Sequence, residues 1–172
     1  MTDVGHENAD AVPGDGRDET PNERYDRNWS ELLQEYRVLQ TGTQILAGFL
    51  LTLPFQQRFT ELDPAQHGLY VVLVALAAVV ALLALAPVTI HRLVFRQGAK
   101  HELVRVASAI LVICLAAASL LFVGILVFVF AFVVSATASI LGGALGLVIV
   151  FPVWVVLPPL VRRARSVNSA RR

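Results

Sequence analysis

Apolar residues come in four long blocks along the chain, separated by shorter polar stretches. The blocks lie at about residues 38–55, 69–90, 104–134 and 140–161, and each has at least 18 residues with few charges. A helix needs roughly 20 apolar residues to cross the ~30 Å hydrocarbon core of a bilayer. The predicted fold class is therefore all-α: a polytopic membrane protein with four transmembrane helices, built from residues 26–161.

The polar regions before the first block predict a tail and an amphipathic entry helix. Residues 1–25 are rich in Asp, Glu, Gly and Pro and contain little to bury, which predicts a disordered acidic tail. Asn28, followed three residues later by Glu31, is typical of a capping box at a helix start. One apolar stripe of this helix then comprises Trp29, Leu32, Leu33, Tyr36 and Leu39. We expect the helix to begin on the membrane surface and to continue into the bilayer.

The first apolar block also contains a stripe of polar and small residues. At 100° per residue they share a sector of roughly 120° on one side of the helix. They are Arg37, Gln40, Thr41, Gln44, Gly48 and Thr52. Glutamine and arginine are costly against lipid, so this stripe is expected to face other helices or a wet crevice. Two interpretations are open: hydrogen bonding and close packing with neighbouring helices, or the lining of an ion or ligand path.

Small residues spaced by four mark the start of the fourth block. SATAS, residues 135–139, is short and uncharged, and we expect a tight turn there. The small-xxx-small pattern that follows favours close helix packing, with a partner either in the same chain or in a second copy. The candidate packing residues are Ser139, Gly142, Gly143 and Gly146. Pro54 is expected to end or kink the first span, and Pro87 to kink the second near its end.

Two segments carry a family resemblance. They are NWSELLQEYRVLQTGTQILAGFLLTLPFQQRF, residues 28–59, and APVTIHRLVFRQGAKHELVRVAS, residues 86–108. With them the chain resembles, over roughly residues 23–161, a family of small four-helix membrane proteins of high-GC Gram-positive bacteria that is a domain of unknown function. Some members carry the label sodium:proton antiporter. The resemblance implies no catalytic or binding residues.

Charge is nearly balanced overall but strongly separated along the chain. Ten of the 13 acidic residues lie within residues 1–35, and five arginines lie within the basic tail, 162–172. With the N-terminus inside, the inner segments hold 13 of the 14 Lys and Arg residues and the outer loops hold only Arg58. The positive-inside rule therefore predicts a multi-pass plasma-membrane protein with both termini cytoplasmic. We expect the basic tail to meet anionic lipid rather than nucleic acid.

The residues argue against several kinds of chemistry. No predicted span contains an Asp or Glu, whereas a cation:proton antiporter needs an ionisable group within the membrane, normally a carboxylate. No catalytic triad, metal motif or phosphate loop is recognisable, so we expect neither an enzyme nor a cofactor. The sequence favours a non-enzymatic helix bundle that acts through self-association or a membrane partner, with a small ion transporter or transporter subunit as the alternative.

Overall fold

The computed structural model describes residues 10, 17–94, 100–156 and 158–159. Within these residues the chain is helical, without a β-strand, and the predicted all-α class is confirmed. Four of its helical segments are long and apolar enough to cross a membrane, as predicted. They are Pro21–Phe55, Pro64–Ile90, Glu102–Val133 and Ala136–Val156. Residues 1–9, 11–16 and 160–172 lie outside the described part, and so do most of the predicted acidic tail and the whole basic tail.

The first helix, α1, is Pro21–Thr52, and its start differs from the prediction. The capping box at Asn28 is wrong, as is the extension of the disordered tail to residue 25. Thr20 is the cap: its backbone N–H donates to Glu23 Oε2 at 2.8 Å, and the Glu23 N–H donates to Thr20 Oγ1 at 3.3 Å. Thr20 also precedes a proline, whose fixed φ and missing N–H suit the first helical position. This earlier signal outweighs Asn28, which lies inside the helix.

An arginine stabilises these additional turns of α1. The Arg27 guanidinium binds both carboxylate oxygens of Glu19, at 2.7 and 3.1 Å, and one oxygen of Glu31, at 2.9 Å. These hydrogen bonds and the nearby positive charge hold the pKa of Glu19 below its usual value. The residues just before α1 are thereby tied to its second turn.

Prolines set the ends and breaks of the remaining helices. After α1 come two 3₁₀ turns, Leu53–Phe55 and Gln57–Glu61, and then α2, Pro64–Leu83. A turn at residues 84–85 separates α2 from α3, Ala86–Val94. Pro87 explains this break, because it has no N–H to donate to the carbonyl four residues earlier. The expected end of the first helix near Pro54 is thus confirmed, and the kink expected at Pro87 coincides with the break between α2 and α3.

The last two helices are α4, Lys100–Val133, and α5, Ala136–Phe151, followed by a π-helical turn, Pro152–Val156. The turn predicted at residues 135–139 is shorter than expected, since α5 already begins at Ala136. Ser135 is its cap, and its hydroxyl oxygen accepts the Ala138 N–H at 3.1 Å. A serine in extended backbone is a good N-cap, so the SATAS residues after it continue as helix.

The chain folds into two compact units, residues 1–46 with 78–116, and residues 47–77 with 117–172. In the first unit α1 packs against α4, and the Tyr36 hydroxyl donates to the Ala107 carbonyl oxygen at 2.8 Å. Tyr36 and Leu39 are buried, whereas the earlier residues of the predicted stripe are half-buried. The amphipathic entry helix therefore turns its apolar stripe toward the core of this unit. The core of this unit also contains Val80, Ala84, Ala107, Leu111 and Cys114.

In the second unit α2, α4 and α5 pack together, and the loop before α2 covers the end of α4. An aromatic cluster holds this loop: Phe59 meets Tyr70 edge to face at 5.0 Å between ring centroids, and Tyr70 lies 6.1 Å from Phe128. The Arg58 guanidinium stacks over Phe132 at 4.8 Å. These contacts fix the loop between the first two spans.

Candidate functional site

The polar stripe of α1 faces outward in the structure. Gln40 is half-buried, and the five other residues of the stripe are exposed: Arg37, Thr41, Gln44, Gly48 and Thr52. The described helices of the same chain therefore do not cover most of this stripe, and its expected contact with other helices or a wet crevice stays a prediction. We call these six residues the polar face of α1.

The opposite side of α1 determines this orientation. Its buried residues are Tyr36, Leu39, Thr43 and Leu50, which recur at intervals of three, four and seven. This is the a/d spacing of a helix-packing seam. The side-chain hydroxyl of Tyr36 also bonds to α4, so rotating the polar face inward would cost both the apolar packing and this hydrogen bond.

Thr43 is a buried polar residue that the sequence analysis did not single out. It is 2% exposed, and its hydroxyl donates to the carbonyl oxygens of Leu39, at 2.9 Å, and Gln40, at 3.1 Å. A threonine that bonds to the preceding turn of its own helix needs no further partner. The sequence signal for its burial is its place four residues after Leu39 and seven after Tyr36, on the continuation of the apolar stripe.

The hydrogen bonds of the polar face divide its members into two kinds. Thr41 and Thr52 are satisfied within α1, by the carbonyls of Arg37 at 2.9 Å and Phe49 at 2.7 Å. The side-chain amide of Gln44, in contrast, makes no hydrogen bond to any residue that the structure describes. Gln44 is thus an exposed amide in the middle of an apolar segment, with both a donor and an acceptor to satisfy.

A glycine one turn along α1 leaves open space beside this amide. A Cβ atom built at Gly48 would have no heavy atom within 4 Å, apart from its own helix and chain neighbours. No side chain therefore projects from α1 at the position next to Gln44, which permits another helix to approach closely. One side of α1 thus presents Thr41, Gln44 and Gly48, and of their side chains only the Gln44 amide lacks a hydrogen bond to a described residue.

The small residues of α5 have their partner within the chain. A Cβ atom at Gly142 would lie 2.9 Å from the Leu126 carbonyl oxygen, and one at Gly146 would lie 3.0 Å from a methyl of Val123. Gly142 and Gly146 are buried, whereas Gly143 and Ser139 are half-buried. The packing interpretation of this pattern therefore applies to the contact between α5 and α4, the alternative that sequence reasoning had left open.

No cluster of three or more His, Cys, Asp or Glu side chains suited to a metal ion occurs in the described part of the chain. Cys114 is buried in the core of the first unit. His67 is an exposed side chain in the second unit, where its ring lies 5.7 Å from that of Phe59.

Comparison with protein families gives a match over most of the chain. The model of a protein family described as "Family of unknown function (DUF6328)" matches residues 18–158. No curated protein and no solved structure matches the chain.

Proposed function

Since the chain belongs to the family of unknown function DUF6328, whose description assigns no activity, we propose a function from the residues: a non-enzymatic membrane protein that self-associates through the polar face of α1. The observation that carries the proposal is the Gln44 amide, exposed and without a hydrogen-bond partner among the described residues. An unsatisfied amide in hydrocarbon costs several kcal/mol, so this group favours a partner outside the chain.

A second copy of the same helix is the partner that suits this face. Two copies inserted in the same direction bring their α1 helices together in parallel, so that Gln44 of each lies at the same depth. An amide both donates and accepts, and two glutamines can therefore satisfy one another across a twofold axis. Gly48 offers the space for the two backbones to approach.

The test is association in a bilayer. Copies with donor or acceptor dyes on a terminal tag are reconstituted in liposomes, and energy transfer is followed as protein is diluted with lipid. Because hydrogen bonds between membrane helices contribute about 0.6–2 kcal/mol, we expect Gln44→Leu to weaken association roughly 3- to 30-fold. Gly48→Leu, which fills the space, should weaken it further.

A matched control shows whether the effect is specific to the polar face of α1 or follows from losing any exposed polar side chain. Thr89 is an exposed threonine on α3, and Thr89→Val makes the same kind of polar-to-apolar change away from α1. It should leave association unchanged. Equal association of the wild type and both α1 variants would contradict the proposal. Association only in the presence of another membrane protein would replace self-association by a heteromeric contact.

The location of the protein is part of the proposal. The distribution of Lys and Arg supports a plasma-membrane protein with both termini cytoplasmic. In sealed right-side-out vesicles, a tag at either terminus should resist external protease, whereas a tag inserted after Thr60 should be cleaved. Cleavage of either terminal tag in intact vesicles would refute this orientation.

The alternative function is a small cation transporter that uses the same face between two copies. The half-buried Gln40 and the exposed Gln44, with Glu35 one turn before the predicted span, are the features that favour it. Liposomes containing protein and a pH-sensitive dye would receive sodium and potassium gradients. Cation-dependent proton movement that is lost in Glu35→Gln would support transport, and flux equal to that of empty liposomes would exclude it.

A further inference from the structure

A cleft of about 450 Å³ opens between the first part of α1 and the first part of α4, within the first unit. Its size falls within the ~300–1,000 Å³ typical of small-ligand sites. Two arginines, a phenol, an amide and a hydroxyl supply hydrogen-bond donors around it, and one valine is apolar. The lining residues are Arg24, Tyr25, Asn28, Val104, Arg105 and Ser108.

Two arginines give the lining of this cleft its positive charge. The salt bridges of Arg27 with Glu19 and Glu31, and that of Arg58 with Glu61, include neither of the cleft's arginines. The positive charge of Arg24 contributes to the lowered pKa of Glu19, but both carboxylate oxygens of Glu19 bind Arg27. Two guanidinium groups therefore face one space without a salt bridge to any described carboxylate, an arrangement that favours an anion.

The position of the cleft along the sequence indicates its depth in the bilayer. On α1 it precedes the apolar block that starts near Val38, and on α4 it includes Val104, where the third apolar block begins. The cleft thus lies where α4 changes from polar to apolar sequence, beside the polar part of α1 that precedes its own change by ten residues or more. Such a change marks the headgroup layer, where the phosphates of lipids lie.

We propose that this cleft binds the phosphate group of an anionic phospholipid headgroup. Arginine is the side chain best suited to phosphate, since its planar fork gives two parallel N–H···O bonds. Asn28 and Ser108 would donate further hydrogen bonds to the phosphate or to headgroup hydroxyls. The site is separate from the polar face of α1 and does not depend on self-association.

Trp29 provides a reporter next to the cleft. The chain has two tryptophans, and a Trp154→Phe background leaves Trp29 alone, one residue from Asn28. The full-length protein in neutral detergent is titrated with short-chain phosphatidylglycerol, short-chain phosphatidylcholine or inorganic phosphate. We expect saturable binding of phosphatidylglycerol and far weaker binding of the other two.

Arginine variants connect this binding to the cleft. Loss of one charge-assisted hydrogen-bonding group should lower the affinity for phosphatidylglycerol about tenfold or more in Arg24→Gln and in Arg105→Gln. Arg24→Lys and Arg105→Lys keep the positive charge and should retain part of the affinity for phosphatidylglycerol. Arg92→Gln, an equal change of charge at an exposed site on α3, should bind like the wild type.

Each contrary outcome has a definite meaning. If Arg24→Gln, Arg105→Gln and Arg92→Gln have equal effects, binding follows net charge and the cleft is not the site. Equal affinity for inorganic phosphate would make the ligand a soluble anion and would overturn the assignment to lipid. Ser108→Phe fills the cleft without changing charge and gives a second test, and its unchanged affinity would also refute the proposal. Circular dichroism confirms that each variant is folded.

Discussion

Tyr70→Phe is expected to cost more folding free energy than Tyr36→Phe, although its hydrogen bond is the longer of the two. Tyr70 donates to the Leu50 carbonyl oxygen at 3.2 Å, and Tyr36 donates to the Ala107 carbonyl oxygen at 2.8 Å. Distance alone would rank them in the opposite order. What differs is the second partner of each carbonyl.

The helical donor for the Leu50 carbonyl would be the N–H of residue 54, and residue 54 is proline. Tyr70 therefore supplies the donor that Pro54 lacks, beside a Leu50 side chain with no exposed surface. Ala107, in contrast, lies within the continuous helix Lys100–Val133, so its carbonyl keeps a helical donor when Tyr36 is changed.

The magnitudes follow from this difference. Tyr36→Phe removes one hydrogen bond and leaves no carbonyl without a donor, which in a membrane protein costs about 0.6 kcal/mol. Tyr70→Phe leaves a buried carbonyl unsatisfied, which costs about 1–3 kcal/mol. Both changes retain the aromatic ring, so the contacts of Tyr70 with Phe59 and Phe128 persist. The assay is reversible unfolding in mixed micelles by increasing SDS, followed by circular dichroism.

A double-mutant cycle tests the cause. Pro54→Ala can supply the missing N–H, and in that background Tyr70→Phe should cost no more than about 0.6 kcal/mol. If the cost of Tyr70→Phe is the same in the wild type and in the Pro54→Ala background, Tyr70 acts through something other than the freed carbonyl. A larger cost for Tyr36→Phe than for Tyr70→Phe would refute the reasoning outright.

Three further changes test the packing and the caps, each measured by the same SDS unfolding. Gly142→Leu should destabilise the protein by about 1–3 kcal/mol, because a side chain there meets the Leu126 carbonyl, whereas Gly48→Leu should leave the stability of the monomer unchanged. Thr20→Ala removes the cap of α1 and should cost about 1 kcal/mol, with faster amide exchange confined to the first turns of that helix. Gln66→Leu removes a side-chain N–H that donates at 3.2 Å to a carbonyl near the end of α4 and an oxygen that accepts the Asp63 N–H at 3.1 Å, and should cost about 1–2 kcal/mol.

Much of the fold was predictable because a membrane imposes simple requirements on a sequence. Length and hydropathy alone locate the four segments, and proline chemistry locates the breaks at Pro54 and Pro87. The start of α1 was missed because Asn28 and Thr20 both head sequences that fit a capping box. Only the fold shows that the earlier one is used, with Arg27 binding Glu19 across the first turns.

The direction of the polar face of α1 was not predictable from polarity. Polarity predicts only that the stripe avoids lipid, by facing other helices or a wet crevice, and does not say to which chain those helices belong. Tyr36 and the apolar residues of the packing seam instead determine the rotation of α1, and a hydroxyl that bonds across to Ala107 fixes it. The partner of Gly142 was likewise undetermined, since close packing within a chain and between chains requires the same spacing.

The buried and exposed polar groups of α1 differ in how they are satisfied, and this difference connects the two proposals. Tyr36 and Thr43 are buried, and each donates to a carbonyl of the chain. Gln44 is exposed in the apolar segment and has no hydrogen-bond partner among the described residues, whereas Arg24 lies before that segment and lines the cleft. The Gln44 amide lies in the apolar segment, where another helix can satisfy it. The Arg24 guanidinium lies before that segment, where headgroup phosphates are within reach. Gln44→Leu should therefore weaken association without changing lipid affinity, and Arg24→Gln should do the reverse. A variant that changes both together would show that one surface serves both roles.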